Sequence, residues 1–276
     1  MKIIDAHLHV FPHEEYAERI ARAAHHENSL THLKSVYEDL GIVGGVVMGN
    51  RPLEDTRPQY APFLVYCVGL DRIPLGPEYV KKQAKLVEEH FQNPQCVGLK
   101  LYPGYQRFYI YEDWMEPFYE LAVKYNKPVA VHTGLTASED ALLKYSHPFV
   151  LDEAATKFRD VQFVMCHFGE PWYTDAAAVI EKNPNVAVDL SGILEGKIPD
   201  FEAFTREKHM YLERMRGWLE YLDCYDRFMF GTDWPLANLE DYIEFTKYMI
   251  PFEHWDDVFY RNAVRIYHLP FTGKEA

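Results

Sequence analysis

The sequence predicts a (β/α)8 TIM barrel, and three observations carry that reading. Eight apolar, β-branched runs recur along the 276 residues. They are too continuous in hydrophobic character for half-exposed antiparallel strands and match parallel strands buried on both faces. Amphipathic stretches separate them, and the runs starting at 96, 128 and 161 lie 32 and 33 residues apart, one βα unit each. Eight such units in roughly 250 residues is the size of this fold. Finally, strand after strand stays apolar and then ends in a chemically capable side chain.

The first strand, IIDAHLHV (3–10), ends in His7 and His9. Residues i and i+2 of a strand share a face, so the two imidazoles look the same way, with Asp5 on that side. Such a pair suits a divalent metal. GIVGGVVMG (41–49) and FLVYCVGL (63–70) follow, with Arg51 and Arg72 just beyond them in GNRP and GLDR. CVGLKLY (96–102) carries Lys100, PVAVHTG (128–134) His132 and VQFVMCHFG (161–169) His167. VAVDLSG (186–192) is the seventh strand, and RFMFGTDWP (227–235) brings Asp233. Helical periodicity marks 78–91, 114–126 and 141–160. Two segments exceed a minimal barrel: a long first crossover over 9–40 and a loop-helix excursion over 192–223. The excursion leaves from the face where barrel enzymes work, as a lid or as the contact of a homodimer. No Ser/Gly-rich linker, low-complexity tract or block of like charge interrupts the chain, which predicts one domain over 1–276.

Composition narrows the partners. A formal net charge of −14 and no basic stripe argue against nucleic acid, which is held by Lys and Arg set on phosphates. No apolar run approaches the roughly 20 residues of a membrane span. Nor is there a basic leader with a cleavage site, and a leader cut would remove the H-x-H itself; a cytoplasmic protein is the expectation. Cys67, Cys96, Cys166 and Cys224 lie in or beside apolar runs without C-x-x-C spacing, as reduced core residues do.

In a barrel all C-terminal strand ends meet at one mouth. Singly, each polar end has a plain structural reading: a core histidine, a snorkelling lysine, an aspartate capping a turn. Together they define a site. DAHLH, GLKLYP, VHTG, CHFG, VDLSG and GTDWP make nearly the whole chain resemble the amidohydrolase superfamily of metal-dependent barrels. HTG, HFG and GTDWP resemble its amidohydrolase-related branch, which includes aminocarboxymuconate semialdehyde decarboxylase and pyrone-dicarboxylate lactonase. Phosphatase-type barrels would close with an aspartate–x–histidine pair, and deoxyribonuclease-like ones carry a fourth-strand glutamate; neither fits as well.

The resemblance implies that His7, His9, His132 and Asp233 bind metal, and that His167 either binds a second ion or polarises the substrate. In two-metal relatives a carboxylated fourth-strand lysine bridges the ions, a role open to Lys100, which would otherwise pair with an anionic substrate. One zinc ion is the expectation, with two ions, manganese or another divalent metal as alternatives. Asp233 would move the proton of the attacking water, and His167 would stabilise the oxyanion. The expected function is hydrolysis of a C–N or C–O bond in a small, carboxylate-bearing molecule; decarboxylation is the alternative, and a non-catalytic metal-binding barrel a minor one. Arg51 and Arg72 would clamp the carboxylate, while Tyr102, Tyr105, Trp172 and Trp234 would wall the pocket. His13, in the loop after the first strand, would reach the substrate.

Overall fold

Eight parallel strands form one sheet in the order β1 to β8, in a computed structural model that describes residues 1–10, 14–49 and 51–271. His13 lies outside the described residues. The strands are β1 (Ile3–Leu8), β2 (Ile42–Met48), β3 (Leu64–Gly69), β4 (Cys96–Leu101), β5 (Val129–Val131), β6 (Phe163–Met165), β7 (Val186–Asp189) and β8 (Phe228–Met229). The cylinder closes between its first and last strands. Ala6 N donates to Phe230 O at 2.9 Å, Asp233 N to His7 O at 2.8 Å and His9 N to Trp234 O at 2.9 Å. That seam carries His7 and Asp233, 226 positions apart in sequence, to the same spot.

Each predicted strand is present, but the later ones stop earlier than their apolar runs suggest. β6 gives way at Cys166 to a tight turn in which His167 and Phe168 have φ of 65° and 47°; past β8, Asp233 has φ of 57°. Left-handed backbone cannot continue a ladder, and hydrophobic continuity does not register it. Non-glycine residues held in that region are typical of functional sites.

Helices fill the crossovers. The first holds α1 (Glu15–Ala23) and α2 (Leu30–Leu40); α3 (Val80–Phe91), α4 (Glu116–Lys124), α5 (Pro148–Lys157) and α6 (Tyr173–Lys182) follow. α2 shows why these boundaries hold: Ser29 Oγ accepts from His32 N at 3.2 Å, and Gly41, at φ 74°, turns the chain straight into β2. α3 buries Val80, Gln83, Val87, His90 and Phe91, the stripe its period demands. α9 (Leu239–Met249) and α10 (Asn262–Tyr267) end the barrel. Ala263, Ile266 and Tyr267 of α10 pack with Ile4, Val65 and Val97 inside it, closing the end opposite the mouth.

The excursion after β7 contains α7 (Phe201–Glu207) and α8 (His209–Leu222). α8 packs on α6 and α9, with Tyr211 and Tyr173 hydroxyls 2.8 Å apart. Asp241 ties its start down, accepting from Lys197 Nζ and Ile198 N at 2.7 Å each. The helices therefore lie along the flank, and of this stretch Gly192 and Glu195 reach the cavity at the mouth. Among the described residues no helix is long and apolar enough to cross a membrane.

Candidate metal centre

β1 delivers His7 and His9 to the mouth, and a fixed partner orients each ring. His7 Nδ1 donates to Asp189 Oδ2 at 2.9 Å, which leaves its Nε2 as a lone pair. His9 Nδ1 lies 3.1 Å from Met48 O; a carbonyl only accepts, so Nδ1 carries the proton and Nε2 the lone pair. Both Nε2 atoms face one carboxylate oxygen: Asp233 Oδ1 is 3.5 Å from His7 Nε2 and 3.1 Å from His9 Nε2. Asp5 does not join them. A shift of register within β1 sends its carboxylate to Thr232 and to Tyr37 of α2, where Thr232 N (2.9 Å), Thr232 Oγ1 (2.6 Å) and the Tyr37 hydroxyl (2.8 Å) donate to it. Asp5 instead holds β1 to the β8 loop, and burial pushes its carboxyl up to about 6.

His7 Nε2 and Asp233 Oδ1 are buried, and neither takes a hydrogen bond from any described residue. Burial, aided by Lys100, pushes His7 down to about 3, so it stays neutral. Burial alone would raise Asp233; its carboxyl is held well below the ordinary range when positive charge, a proton on His9, His7 or His167 or a cation in their place, stands against it. Two lone pairs and a carboxylate oxygen, all within 4.8 Å of one another, repel unless a cation lies between them. The donor set fits a divalent metal. A second cluster, His7, Cys166 and Asp189, does not add an ion site, because His7 Nδ1 is already bonded to Asp189 and Cys166 Sγ to Lys100.

His132 and His167 stand beside that triad. Ser191 Oγ donates to Asp189 Oδ1 at 2.5 Å, so toward His167 Nδ1 at 3.0 Å it can only accept, as does Ser191 O at 3.1 Å. His167 therefore carries its proton on Nδ1. His132 gives its Nε2 proton to Leu135 O at 3.0 Å. The remaining nitrogens, His167 Nε2 and His132 Nδ1, are 3.1 Å apart with their lone pairs facing. This contact becomes attractive only when a proton or a metal ion is supplied to it. Burial lowers both rings below the ordinary histidine value. His132, expected as a ligand, stands beside the tight triad: its Nε2 is bonded to Leu135 O, and its Nδ1, facing His167 Nε2, keeps its lone pair.

The centre forms the floor of a cavity of about 840 Å³, which Lys100, Tyr102, Tyr105 and Arg72 also line. Lys100 is fully buried and donates to Cys166 Sγ at 2.9 Å. The Tyr102 hydroxyl donates to Met48 O at 2.6 Å, and the Tyr105 ring lies 4.9 Å from that of His132. Arg51, Trp172 and Trp234 do not line the cavity. Arg51 is drawn outward by Asp55, at 3.3 Å, and by the face of Tyr60. Trp172 stacks near His147, and Trp234 is buried against His26 and His32. Sequence reasoning missed Asp189 as the partner of His7 and Ser191 as that of His167; their signal was VDLSG, a strand end with a carboxylate and a hydroxyl. It also missed Glu14, Asp71, Glu170 and Glu195 in the cavity wall. They belong to loops, where no period marks them.

Gly192 sits against this centre at φ 67°, and a Cβ there would meet His167 Nδ1 at 2.6 Å and Asp233 Oδ2 at 3.1 Å. Gly192→Ala is expected to displace both groups and lower kcat/KM by about 10²-fold or more, given the cost of misplacing reacting groups by an ångström. Steady-state kinetics beside an unchanged far-ultraviolet circular dichroism spectrum would show it; near-wild-type turnover would mean that His167 and Asp233 tolerate movement.

A family model described as "Amidohydrolase" matches residues 4–269. No curated protein matches the chain. Among solved structures, an uncharacterised TIM-barrel protein from Bordetella bronchiseptica is similar over 96% of this chain and 98% of its own, at 19% identity and a TM-score of 0.72. A probable 2-pyrone-4,6-dicarboxylic acid hydrolase from Acinetobacter baumannii, with citric acid bound, covers 98% of this chain and 100% of its own at 17% identity and TM-score 0.64. A 5-carboxyvanillate decarboxylase from Novosphingobium aromaticivorans, complexed with manganese and a nitrobenzoic acid, covers 97% and 96% at 12% identity and TM-score 0.65. At these identities the likeness is one of fold. The family model runs from within β1 to beyond α10 and takes in every residue of the candidate centre, and by that match the chain belongs to the amidohydrolase family of metal-dependent enzymes.

Proposed function

We propose that this enzyme is a one-metal hydrolase cleaving a C–N or C–O bond (amide, lactone or ester) in a small molecule held in the cavity. The observation that carries the reading is the convergence of His7 Nε2 and Asp233 Oδ1, buried and unbonded among the described residues, with His9 Nε2. These three atoms would hold the ion, zinc by the nitrogen-rich donor set, and His132 Nδ1 would be the fourth donor. One ion is favoured over two because the second donor cluster among the described residues shares His7, whose Nδ1 is bonded to Asp189. A divalent ion there supplies the acidity that brings a water molecule's pKa from 15.7 to roughly 7.

The chain's own groups do the rest. Asp233, as a carboxylate, takes the proton of the attacking water and passes it to the leaving group. His167, held at Nδ1 by Ser191, would donate from Nε2 to the substrate carbonyl oxygen as the imidazolium, the form that Asp233 and Asp189 favour against the larger effect of burial. Tyr102 and Tyr105 wall the bound molecule, and the cavity's size suits a small one.

Chelation followed by assay tests the proposal. Purified protein is expected to hold one equivalent of divalent metal, to lose turnover of a panel of lactones, amides and esters on dialysis against a chelator, and to regain it with zinc or manganese. Full activity in metal-free protein would sink it. Carbon dioxide release from an aromatic acid, with no hydrolysis of any panel member, would transfer the same centre to the decarboxylase reading.

A further inference from the structure

We propose that Lys100 and Cys166 form an oxidant-responsive couple, in which hydrogen peroxide joins Cys166 Sγ to Lys100 Nζ by a covalent sulfur–nitrogen bond. Neither group acts in the hydrolase reading above, on which this couple does not depend. Lys100 leaves β4 on the face it shares with Gly98, inside the barrel, where a Cβ at 98 would meet Cys67 Sγ at 2.8 Å. Across the sheet Lys100 pairs with Ala130 of β5, and Ala130 with Val164 of β6. Ala130 has no side chain beyond Cβ, so the lysine stem passes over it to Cys166, two residues beyond Val164. Nζ ends 2.9 Å from Sγ, and both side chains are fully buried.

An ammonium has three N–H donors, and sulfur is a weak acceptor. Among the described residues Lys100 makes no ion pair with a carboxylate and no second hydrogen bond. It faces the ring of Tyr102, with Nζ 5.3 Å from the centroid. A buried ammonium is thus aimed at a thiol and not at a counter-ion. The other cysteines lack this arrangement: among the described residues none has a lysine nitrogen bonded to its sulfur. Cys96 Sγ donates to Gly98 O at 3.6 Å, and Cys224 Sγ accepts from the Arg227 guanidinium at 3.1 Å. Lys100 also lines the cavity, which gives a molecule of about water's size a way to the contact.

The thiolate is the reactive form of cysteine. Burial and Asp189 push the Cys166 thiol up while Lys100 pulls it back, so the first step is slow. In that step Sγ attacks one oxygen of the peroxide and the O–O bond breaks. The departing hydroxide takes a proton from the Lys100 ammonium and leaves as water. Cys166 is then a sulfenic acid, oxidised by two electrons, and Lys100 a neutral amine. Nζ attacks Sγ, the S–N bond forms and the S–O bond breaks, and hydroxide leaves with an amine proton as a second water. Two equivalents of a thiol reverse the link, becoming a disulfide and restoring thiol and amine. The bond replaces an ammonium on the cavity floor by a neutral group and ties β4 to the residue before His167.

Mass spectrometry of zinc-replete, full-length protein tests the couple. The protein is exposed to hydrogen peroxide, denatured, alkylated at its free thiols and digested with a protease that does not cut at lysine. The peptides carrying residues 100 and 166 are expected as one joined species, two hydrogens lighter than their sum. A thiol reductant should separate them into unmodified peptides. In K100M, which keeps the apolar stem without its amine, the joined species should vanish, with Cys166 recovered as the free thiol or its oxygen acids. Should K100M fail to fold, the wild-type digest still decides. Three results would overturn the proposal: Cys166 fully alkylated while the less buried Cys224 is oxidised, Cys166 taken to its sulfinic and sulfonic acids beside unmodified Lys100, or a joined species that survives the reductant.

Discussion

Asp233→Asn is expected to lower kcat/KM by about 10³-fold or more, the scale of losing a general acid–base group, while the protein keeps its fold. The amide retains the volume of the carboxylate and the backbone hydrogen bond from residue 233 to His7 O, so the seam between β1 and β8 survives. What disappears is the charge. An amide oxygen is a weaker ligand beside His7 Nε2 and His9 Nε2, and an amide cannot take a proton from water at neutral pH. Kinetics on protein reconstituted to one metal equivalent separates lost chemistry from lost metal. A metal-replete Asn variant with wild-type kcat would remove Asp233 from the proton path.

The second large effect concerns a residue that touches no substrate. Asp189 is fully buried and accepts from His7 Nδ1, His167 N (3.1 Å), Ser191 N (3.2 Å) and Ser191 Oγ. Burial would raise its carboxyl, but His7, His167 and Lys100 hold it far below the ordinary value. Asp189→Ala strands those donors in the barrel interior and is expected to cost about 3–5 kcal/mol, the penalty for removing one partner of a buried, charged network. Urea denaturation with an unchanged m-value would measure it. Asp189→Asn separates stability from function. Its amide fills the same space, but with the oxygen kept for Ser191 and His167 N, the NH2 faces His7 Nδ1. The ring must then accept there and carry its proton on Nε2, which removes the lone pair meant for metal. Metal affinity should fall by about 10–100-fold, as for other second-layer partners of a ligand histidine, with little loss of stability. Unchanged affinity in the Asn variant would show that His7 does not rely on Asp189 for its tautomer.

Taken from the sequence alone, the barrel was legible because burial on both faces writes itself as continuous apolar runs, and the βα repeat as regular spacing. The floor of the site was legible for a related reason: parallel strands deliver their ends to one mouth, so His7, His9, Lys100, His132, His167 and Asp233 could be gathered without knowing any loop. Strand ends were less legible. The runs of β6 and β8 continue in hydrophobicity past the point where His167 and Asp233 adopt left-handed backbone, and φ leaves no trace in composition.

Only the tertiary structure decided which groups act together. It turned Asp5 away from the site toward Tyr37 and Thr232, made Asp189 the partner of His7, and faced the open nitrogens of His132 and His167. It also sent Arg51 and both tryptophans elsewhere and lined the rim with carboxylates from loops. The physical reason is the same in each case. A strand's period specifies the face a side chain leaves from, within a register; ring orientation, tautomer and loop approach depend on hydrogen-bond partners remote in sequence, and those exist only once the cylinder has closed.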